Sequence, residues 1–260
     1  MDLKLKNKVI IVTGGSKGIG NGICNVLAEE GAIPVIVGRN KENVLEAVKA
    51  IKNKGYKAAY AFAELTNPED CKLAVEKVVN EFGRIDGLVN NAGVNDSIGL
   101  ETGSYAGFME SLKRSLVHYY LMAHLTLPEL KKSKGSIVNI GSKVSLTGQG
   151  GTSGYAASNG GRNALTREWA VELLPYSIRV NAVIVAESYT PLYEKWISTF
   201  ADKEEKLASI TKNIPFEKRM TTTQEIADTV VFLLSEKASH TTGQLLFVDG
   251  GYTHLDRAIE

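Results

Sequence analysis

Short apolar runs alternate with long amphipathic segments along this chain. The first two runs, Val9–Thr13 and Ile33–Gly38, are dominated by valine and isoleucine. A strand is continuously apolar when helices cover both faces of its sheet, as is usual for parallel sheets. Because the runs and the amphipathic segments alternate strictly, the sequence predicts an α/β fold with one doubly wound parallel sheet and right-handed crossovers.

The pattern predicts about seven strands, with helices on both faces of the sheet. The predicted strands are Val9–Thr13, Ile33–Gly38, Lys57–Ala63, Gly87–Asn90, Ser136–Ile140, Ile178–Ile184 and Gln244–Val248. The predicted helices cover 17–30, 41–54, 68–82, 104–131, 153–174 and 223–235. No repeat, linker or shift in composition divides the chain, so we expect a single domain over residues 1–260.

The alternation is interrupted once, at 186–222, between the sixth predicted strand and the last predicted helix. A connection of this length in a compact α/β domain is usually a lid or a binding loop. We therefore expect a substrate lid at about 186–222, with a purely structural insertion as the alternative.

Charge and cysteine content exclude several classes of protein. Lys and Arg (30) nearly balance Asp and Glu (29), so the chain lacks the basic field of a general nucleic-acid binder. No apolar run is long enough to span a bilayer, and the first residues lack the apolar stretch of a signal peptide, which predicts a cytoplasmic protein without membrane partners. Cys24 and Cys71 show no CxxC spacing and no clustered histidines, so we expect neither a disulfide framework nor a metal site.

A glycine-rich turn follows the first predicted strand and opens a helix. Glycines at such a turn let the backbone approach a pyrophosphate, and the helix N-terminus contributes N–H groups and a positive dipole. The spacing is TGxxxGxG over Thr13–Gly20. We therefore predict a nucleotide site that uses Gly14, Ser16, Lys17, Gly18, Ile19 and Gly20.

The end of the second predicted strand indicates which nucleotide is bound. An acidic side chain at this place accepts hydrogen bonds from the adenine ribose of NAD, but the chain has Gly38 followed by Arg39. Arg39 and Lys17 are suited to a 2′-phosphate, which favours NADP, while NAD stays possible and solvated surface cations are the alternative. Glu64 and Leu65, at the end of the third strand, are expected beside the adenine ring.

Polar residues follow the fourth and fifth predicted strands, at the edge where open α/β sheets bind ligands. Asn90-Asn91-Ala92-Gly93 follows the fourth strand, Ser142 closes the fifth, and Tyr155 comes 13 residues later. A serine and a tyrosine hydroxyl can together hold a carbonyl or alcohol oxygen, with the tyrosine moving the proton. With TGxxxGxG and the final Val248-Asp249-Gly250-Gly251, these motifs resemble the short-chain dehydrogenase/reductase family over nearly the whole chain.

This resemblance implies a Rossmann-type domain, an NAD(P) cofactor and a homotetramer. It implies that Asn91, with Ala92 and Gly93, supports the nucleotide, that Ser142 orients the substrate oxygen, and that Tyr155 is the general acid/base and also contacts the cofactor. Thr190, in the segment after the sixth strand, would hold the nicotinamide carboxamide.

Two positions depart from the family pattern. The family has Lys four residues after the tyrosine, where this chain has Asn159, and Asn where this chain has Ser115. The i,i+4 spacing places residue 159 on the same helix face as Tyr155, where it can still bond the nicotinamide ribose. Asparagine carries no charge, however, and a nearby ammonium is what stabilises a phenolate. The sequence therefore predicts reduced activity and a gain in the variant Asn159→Lys.

Three explanations of these departures stay open: an active enzyme with rearranged proton handling, an impaired relative that only binds nucleotide, or a residue altered by design. Arg162 and Lys143 are candidate replacement cations, although a surface or interface position is the more frequent place for such residues.

The substrate is indicated by a further resemblance, to the branch of the family that contains L-fucose dehydrogenases and related sugar 1-dehydrogenases. The residues that carry it are Asn90–Asp96, Ser115–Tyr120, Thr147–Gly150, Leu165–Ala170, Thr190–Tyr193 and Gly250–Asp256.

A sugar needs several hydrogen-bonding side chains because its hydroxyls lose water on entry. Asn95, Lys143, Gln149 and Glu187 are expected to supply them. The leading hypothesis is oxidation of a fucose-like sugar at its anomeric carbon. The alternatives are a 3-oxoacyl-type carbonyl reductase and a nucleotide-binding protein without hydride transfer.

Overall fold

A computed structural model of the protein describes residues 1–255. Asp256, with which the C-terminal sequence motif ends, and the residues after it lie outside the described residues. Within residues 1–255, seven parallel strands form one sheet in the order β3-β2-β1-β4-β5-β6-β7. The strands are β1 (Val9–Thr13), β2 (Ile33–Gly38), β3 (Ala59–Phe62), β4 (Gly87–Asn90), β5 (Ser136–Ser142), β6 (Arg179–Val185) and β7 (Leu245–Val248). The prediction of a doubly wound parallel sheet is confirmed.

The helices lie between the strands in the chain. They are α1 (Gly18–Glu29), α2 (Lys41–Asn53), α3 (Pro68–Phe82), α4 (Tyr105–Leu112), α5 (His118–Ser133), α6 (Ser153–Glu172), α7 (Pro191–Ile197), α8 (Lys203–Thr211) and α9 (Thr223–Leu234). Within residues 1–255, no helix is both long and apolar enough to cross a membrane.

Two apolar layers hold the helices against the sheet. Because successive strand residues point to opposite faces, Ile10 and Val12 contact the layer formed with α1, α2 and α9. Val9 and Ile11 contact the opposite layer, formed with α3, α5 and α6. Every residue of β1 is buried, which explains why its sequence is apolar on both faces.

Three predicted segments differ from the structure. The predicted helix at 104–131 is divided by a π-helical turn at Lys113–Val117, which joins α4 to α5. The fifth strand continues to Ser142, beyond the predicted end at Ile140. The third strand is shorter than predicted, because only Ala59–Phe62 pairs with β2. The long connection at 186–222 contains α7 and α8.

The strand order determines where a ligand site can form. β1 pairs with β2 on one side and with β4 on the other, so the crossovers run in opposite directions from β1. The loops after β1 and β4 therefore separate to opposite faces and leave a crevice at the carboxyl edge. The predicted nucleotide and catalytic motifs all follow strands at this edge.

Candidate active site

The N-terminus of α1 is open toward the crevice. Its cap residue, Lys17, makes no side-chain capping bond, and no acidic residue lies in the first turn. By contrast, α2 is capped by Asn40 and α3 by Asn67. The free N–H groups of α1 can therefore bind an anion such as a pyrophosphate.

The glycine turn packs closely against the loop after β4. A Cβ on Gly20 would lie 2.4 Å from the Gly14 carbonyl oxygen and 2.5 Å from Asn91 Nδ2, so only glycine fits there. Asn91 in turn donates from its backbone N–H to Thr13 Oγ1 (2.9 Å) and from Nδ2 to the Thr13 carbonyl oxygen (2.9 Å). These bonds hold the two motifs together and place Asn91 beneath the turn.

A cavity of about 360 Å³ opens along this crevice. Seven residues predicted for the cofactor line it, and others support it from behind: Gly20 and Asn91 pack under the turn, and a Cβ on Gly18 would lie 3.4 Å from Thr190 Cβ. Lys17 is exposed. The lining residues are Gly14, Ser16, Gly38, Arg39, Asn40, Ala63, Glu64, Leu65, Thr66, Ala92, Gly93, Val94, Arg114, His118 and Leu192.

Arg39 and Glu64 form an ion pair at the end of this cavity that follows β2 and β3, with Arg39 Nη1 3.0 Å from Glu64 Oε2. Burial acts to raise the pKa of Glu64, but hydrogen bonds from Arg39 and Thr66 outweigh it and lower the pKa. The side chain of Arg39 is 70% exposed, so the guanidinium is accessible to a ligand phosphate.

The predicted catalytic residues lie on β5 and α6. Ser142 ends β5, is buried, and begins a 3₁₀ turn at Lys143–Ser145. Tyr155 lies in the first turn of α6, and Asn159 lies one turn further on. Asn163 Nδ2 donates to Ser145 Oγ (2.8 Å), which fixes α6 against the turn after Ser142.

The side chain of Asn159 is fully buried and its amide is already bonded within the protein. Nδ2 donates to the Tyr155 carbonyl oxygen (2.9 Å), and Oδ1 accepts from Arg162 Nη1 (3.1 Å). Asn159 is not among the residues that line the cavity. Direct contact between Asn159 and a nicotinamide ribose therefore stays a prediction.

Ser115 lies in the π-helical turn between α4 and α5. Its hydroxyl donates to the Val94 carbonyl oxygen (3.1 Å) and accepts from the Val94 N–H (3.3 Å). Ser115 therefore connects the π-helical turn to the loop that follows β4.

Neither Arg162 nor Lys143 is a surface residue, so the expectation of a surface or interface position is wrong for both. Arg162 is only 3% exposed, and its guanidinium bonds the carbonyl oxygens of Ser115 and Ile140. Lys143 pairs with the Glu187 carboxylate, and its Nζ lies 3.8 Å from the centre of the Tyr252 ring. The sequence placed both residues near the site but could not show that buried carbonyls and a carboxylate hold them.

The predicted substrate residues divide into a partly buried pair and two exposed residues. The side chains of Lys143 and Glu187 are 11% and 17% exposed. Asn95 and Gln149 lie on exposed loops after β4 and after the 3₁₀ turn. The structure brings Lys143 and Glu187 together across the ends of β5 and β6.

Aromatic side chains of α7 and its flanks continue from this pair. The rings of Tyr189, Tyr193, Trp196 and Phe200 follow one another with centroid separations of 6.1, 5.2 and 5.1 Å. Burial, and then the neighbouring Glu187 carboxylate, raises the pKa of Tyr193 above its ordinary value. The Ser188 hydroxyl is buried without a hydrogen-bond partner in the described residues.

Arg114 and His118 line the cavity although the sequence did not identify them as cofactor residues. Both lie at the ends of the π-helical turn, which rotates the residues after it relative to a continuous α-helix. His118 packs against Tyr119, with ring centroids 5.0 Å apart. No residue pattern marked the turn in advance.

Known proteins match the chain along nearly its whole length. A family model described as enoyl-(acyl carrier protein) reductase covers residues 14–253. The chain belongs to the short-chain dehydrogenase/reductase family. This short-chain dehydrogenase/reductase is 34% identical to the L-fucose dehydrogenase of Bos taurus over 252 residues, which cover 96% of this chain and 91% of that one. It is equally, 34%, identical to the 3-oxoacyl-[acyl-carrier-protein] reductase FabG of Thermotoga maritima, over 96% of this chain and 99% of that one.

Solved structures of the family superimpose on this short-chain dehydrogenase/reductase. The crystal structure of Cj0485 dehydrogenase has 48% identity and a TM-score of 0.95, with 100% of this chain and 99% of that one covered. The ligand-free aldohexose dehydrogenase of Thermoplasma acidophilum has 30% identity and a TM-score of 0.89, with 98% and 97% covered. The prediction of family and fold is thus confirmed.

Proposed function

We propose that this oxidoreductase oxidises a fucose-like sugar at its anomeric carbon with NADP as the preferred hydride acceptor. The observation that carries the proposal is the partly buried Lys143–Glu187 pair, which joins the residue after Ser142 to the segment after β6 at the carboxyl edge of the sheet. The similarity to L-fucose dehydrogenase and to aldohexose dehydrogenase supports the same substrate class.

The residues of the crevice fit a dinucleotide. The open N-terminus of α1 would bind the pyrophosphate, and the cavity wall formed by Glu64 and Leu65 would face the adenine ring. Arg39 would bind the 2′-phosphate of NADP by exchanging part of its bond with Glu64 for a phosphate contact. Thr190, next to Gly18, would hold the carboxamide. When bound, the nicotinamide supplies the acceptor for a hydride.

Ser142 and Tyr155 would handle the substrate oxygen. The Ser142 hydroxyl donates a hydrogen bond to the oxygen on the anomeric carbon. Tyr155 removes the proton from this anomeric hydroxyl group of the sugar, while the anomeric carbon gives up a hydride. Loss of one proton and one hydride converts the cyclic hemiacetal into a lactone. In the reverse direction the neutral tyrosine donates the proton.

The Lys143–Glu187 pair suits a substrate with many hydroxyls. Each hydroxyl can donate to the carboxylate and accept from the ammonium, so the pair can exchange its internal bond for bonds to a sugar. A long acyl chain would remove water from both charges without replacing the lost hydrogen bonds, which is unfavourable. The aromatic row from Tyr189 to Phe200 would then cover the apolar face of the sugar.

A 3-oxoacyl-type carbonyl reductase is the second candidate. The exposed apolar side chains of the connection at 186–222, among them Leu192 and Trp196, could bind an acyl group, and FabG is among the similar proteins. We propose that this connection is a lid in either case, because α7 lies beside the glycine turn through the contact of Thr190 with Gly18.

A homotetramer in the cytoplasm completes the proposal. Its support is the exposed apolar surface of α5, α6 and their ends, where Val117, Tyr120, Val171 and Leu174 are each about half exposed or more. Sedimentation equilibrium of the purified protein tests the assembly, and a monomer at micromolar concentration would contradict it.

A substrate panel decides between the candidate functions. Formation of NADPH and NADH is followed with L-fucose and other aldoses, and NADPH consumption is followed with an acyl thioester. The proposal predicts turnover of aldoses and none of the thioester. Turnover of the thioester alone would establish the carbonyl reductase. Nucleotide binding by calorimetry without turnover of either class would establish a binding protein.

A further inference from the structure

The guanidinium of Arg162 is enclosed by main-chain carbonyls. Nε and Nη2 both donate to the Ser115 carbonyl oxygen, the former at 2.8 Å, and Nη1 donates to the Ile140 carbonyl oxygen at 3.1 Å. Its remaining partner is Asn159 Oδ1. The cation is therefore held from the π-helical turn, from β5 and from α6 at the same time.

Within residues 1–255, Arg162 forms no ion pair with a carboxylate, since its hydrogen-bond partners are carbonyl oxygens only. Arginine stays protonated inside proteins. Burying a positive charge without a negative partner is unfavourable, and main-chain carbonyls offset only part of this desolvation cost. A buried cation of this kind stabilises any negative charge that forms close to it.

The contacts of Arg162 connect the cofactor crevice to the turn of α6 that carries Tyr155. A Cβ on Gly93, which lines the crevice, would lie 2.7 Å from Arg162 Nη2. On the other side, Asn159 accepts from Arg162 and donates to the Tyr155 carbonyl oxygen. The Tyr119 ring centre lies 4.2 Å from Arg162 Cζ.

The other titratable groups that face the guanidinium are neutral near pH 7. Burial raises the pKa of Tyr119 to about 12, and the charges of Arg162 and Tyr155 act on it in opposite directions. Burial, followed by the charge of Arg162, lowers the pKa of His118 to about 4. Tyr119 and His118 therefore do not neutralise the charge of Arg162, and the carboxylate that acts on His118 is Glu64, which is paired with Arg39.

We propose that Arg162 is a positioning residue that supplies, from behind Asn159, the positive charge required when Tyr155 becomes anionic. The guanidinium fixes the amide of Asn159 with Nδ2 toward Tyr155. At the same time its charge lowers the free energy of the tyrosinate through a poorly screened interior. The inference rests on the proposed function, because removal of a proton from an alcohol is what makes the tyrosinate necessary.

This arrangement changes the expectation for Asn159. A lysine at 159 would bring an ammonium against the guanidinium that now bonds Oδ1. The variant Asn159→Lys alone should therefore not gain activity, in contrast to the prediction from the sequence. Asn159→Lys combined with Arg162→Gln moves the single positive charge from 162 to 159, and this double variant should be active.

The test compares four variants with the unmodified protein: Arg162→Gln, Arg162→Lys, Asn159→Lys/Arg162→Gln and Arg167→Gln. The last is the matched control, because Arg167 is an exposed arginine on the same helix. For Arg162→Gln we expect kcat for alcohol oxidation to fall on the order of tenfold to a thousandfold, with KM for NADP changed less than about threefold. Arg162→Lys, which keeps the charge, and the double variant should each recover at least about tenfold over Arg162→Gln.

A spectroscopic measurement tests the effect of the Arg162 charge on Tyr155 without any substrate. The near-ultraviolet tyrosinate signal of Tyr155 is obtained by subtracting the signal of Tyr155→Phe, which also removes the contribution of Tyr119. In Arg162→Gln, compared with Arg162→Gln/Tyr155→Phe, this signal should appear at higher pH by about one unit or more. If the tyrosinate signal shifts to higher pH in Arg162→Gln, but the unmodified protein turns over no substrate, the role of Arg162 is supported and the proposed function is contradicted.

Two results would overturn the inference. One is a tyrosinate signal of Tyr155 that appears at the same pH with and without the guanidinium. The other is a double variant as slow as Arg162→Gln while Arg162→Lys is equally slow, because the loss would then follow the arginine fork and not the charge. If Arg162→Gln does not fold, the same comparison is made with Arg162→Lys and the double variant.

Discussion

The two halves of the crevice are built in different ways. Around β1 and β4, the cofactor half is shaped by the backbone: the open N-terminus of α1, the close approach of Gly20 and the bonds from Asn91 to Thr13. Around β5 and α6, the catalytic half is shaped by side chains whose partners come from distant segments, such as Arg162 with Ser115. Where backbone groups form the site, close packing restricts the sequence to one motif. Where side chains form the site, a different residue can supply the same group.

The difference explains why the family pattern is complete in one half and altered in the other. A glycine on which an added Cβ would lie within 3 Å of a backbone oxygen has no substitute. A positive charge near a phenol, by contrast, can come from any residue whose side chain reaches the same volume. Asn159 and Arg162 together occupy the volume between Ser115 and Tyr155.

The largest expected effect is confined to the catalytic half. Tyr155→Phe should lower kcat at least about a thousandfold, or about 4 kcal/mol, because no hydroxyl is left to take the proton. Calorimetry should show the affinity for NADP changed by less than about threefold. Tyr120→Phe, at an exposed tyrosine of α5, is the control. Activity retained by Tyr155→Phe would assign the proton to another group.

Acid should lower the stability of the folded protein through His118, which lies between the two halves. Its pKa is about 4 in the folded protein and 6.5 in its ordinary state, so between these values the unfolded chain binds more protons. Stability is therefore fully present above about pH 6.5 and is lost as the pH falls through about 4, by on the order of 3 kcal/mol.

Urea unfolding at a series of pH values measures this loss, and His118→Gln should flatten the profile. His124→Gln, at an exposed histidine of the same helix, should leave it unchanged. If His118→Gln follows the profile of the unmodified protein, other groups cause the acid loss.

A substitution in the cofactor half should change the selectivity between NAD and NADP. Arg39→Asp removes a phosphate partner and places a carboxylate beside Glu64, so it should shift the ratio of affinities toward NAD by about thirtyfold, or about 2 kcal/mol. Calorimetry with both nucleotides measures the ratio. Lys41→Asp introduces the same change of charge near the start of α2 and serves as the control. Equal affinities of the unmodified protein for NAD and NADP would contradict the role of Arg39.

The smallest effect should come from the residue that belongs to both halves. Gly93 lies in the cofactor motif, yet an added methyl group would meet Arg162 Nη2 at 2.7 Å. Gly93→Ala should displace the guanidinium and lower kcat about tenfold, or about 1.4 kcal/mol, more than it weakens NADP binding. Gly160→Ala is the matched control, since its Cβ would meet nothing within 4 Å. If Gly93→Ala weakens NADP binding and leaves kcat unchanged, the added methyl group does not act through Arg162.

Much of the fold followed from the sequence because it depends on local patterns. The apolar runs predicted the strands within a few residues, and the parallel sheet followed from their alternation with helices. The π-helical turn at Lys113–Val117 did not follow, because its sequence has helical periodicity like its neighbours. That turn brings Arg114 and His118 to the cavity, so both were missed.

The cofactor motif could be located in the sequence because strand ends meet at one edge of a parallel sheet. The partners of charged side chains could not be located in this way. Lys143 follows β5 and Glu187 follows β6. Whether Lys143 contacts Glu187 or solvent is determined by the register in which these two strands pair. The burial of Arg162 likewise depends on the backbone of Ser115, which lies 47 residues away.

The central place of β1 has a consequence for how the chain is made. β1 emerges first from the ribosome, but its second neighbour, β4, begins only at Gly87. Until then one edge of a strand whose residues are all buried in the folded protein is unpaired, which favours aggregation of a shortened chain. Asn91 and the glycine turn also meet only after β4 has paired, so nucleotide cannot stabilise an N-terminal fragment that ends before it. Translational pauses before that point would expose the newly synthesised chain to chaperones.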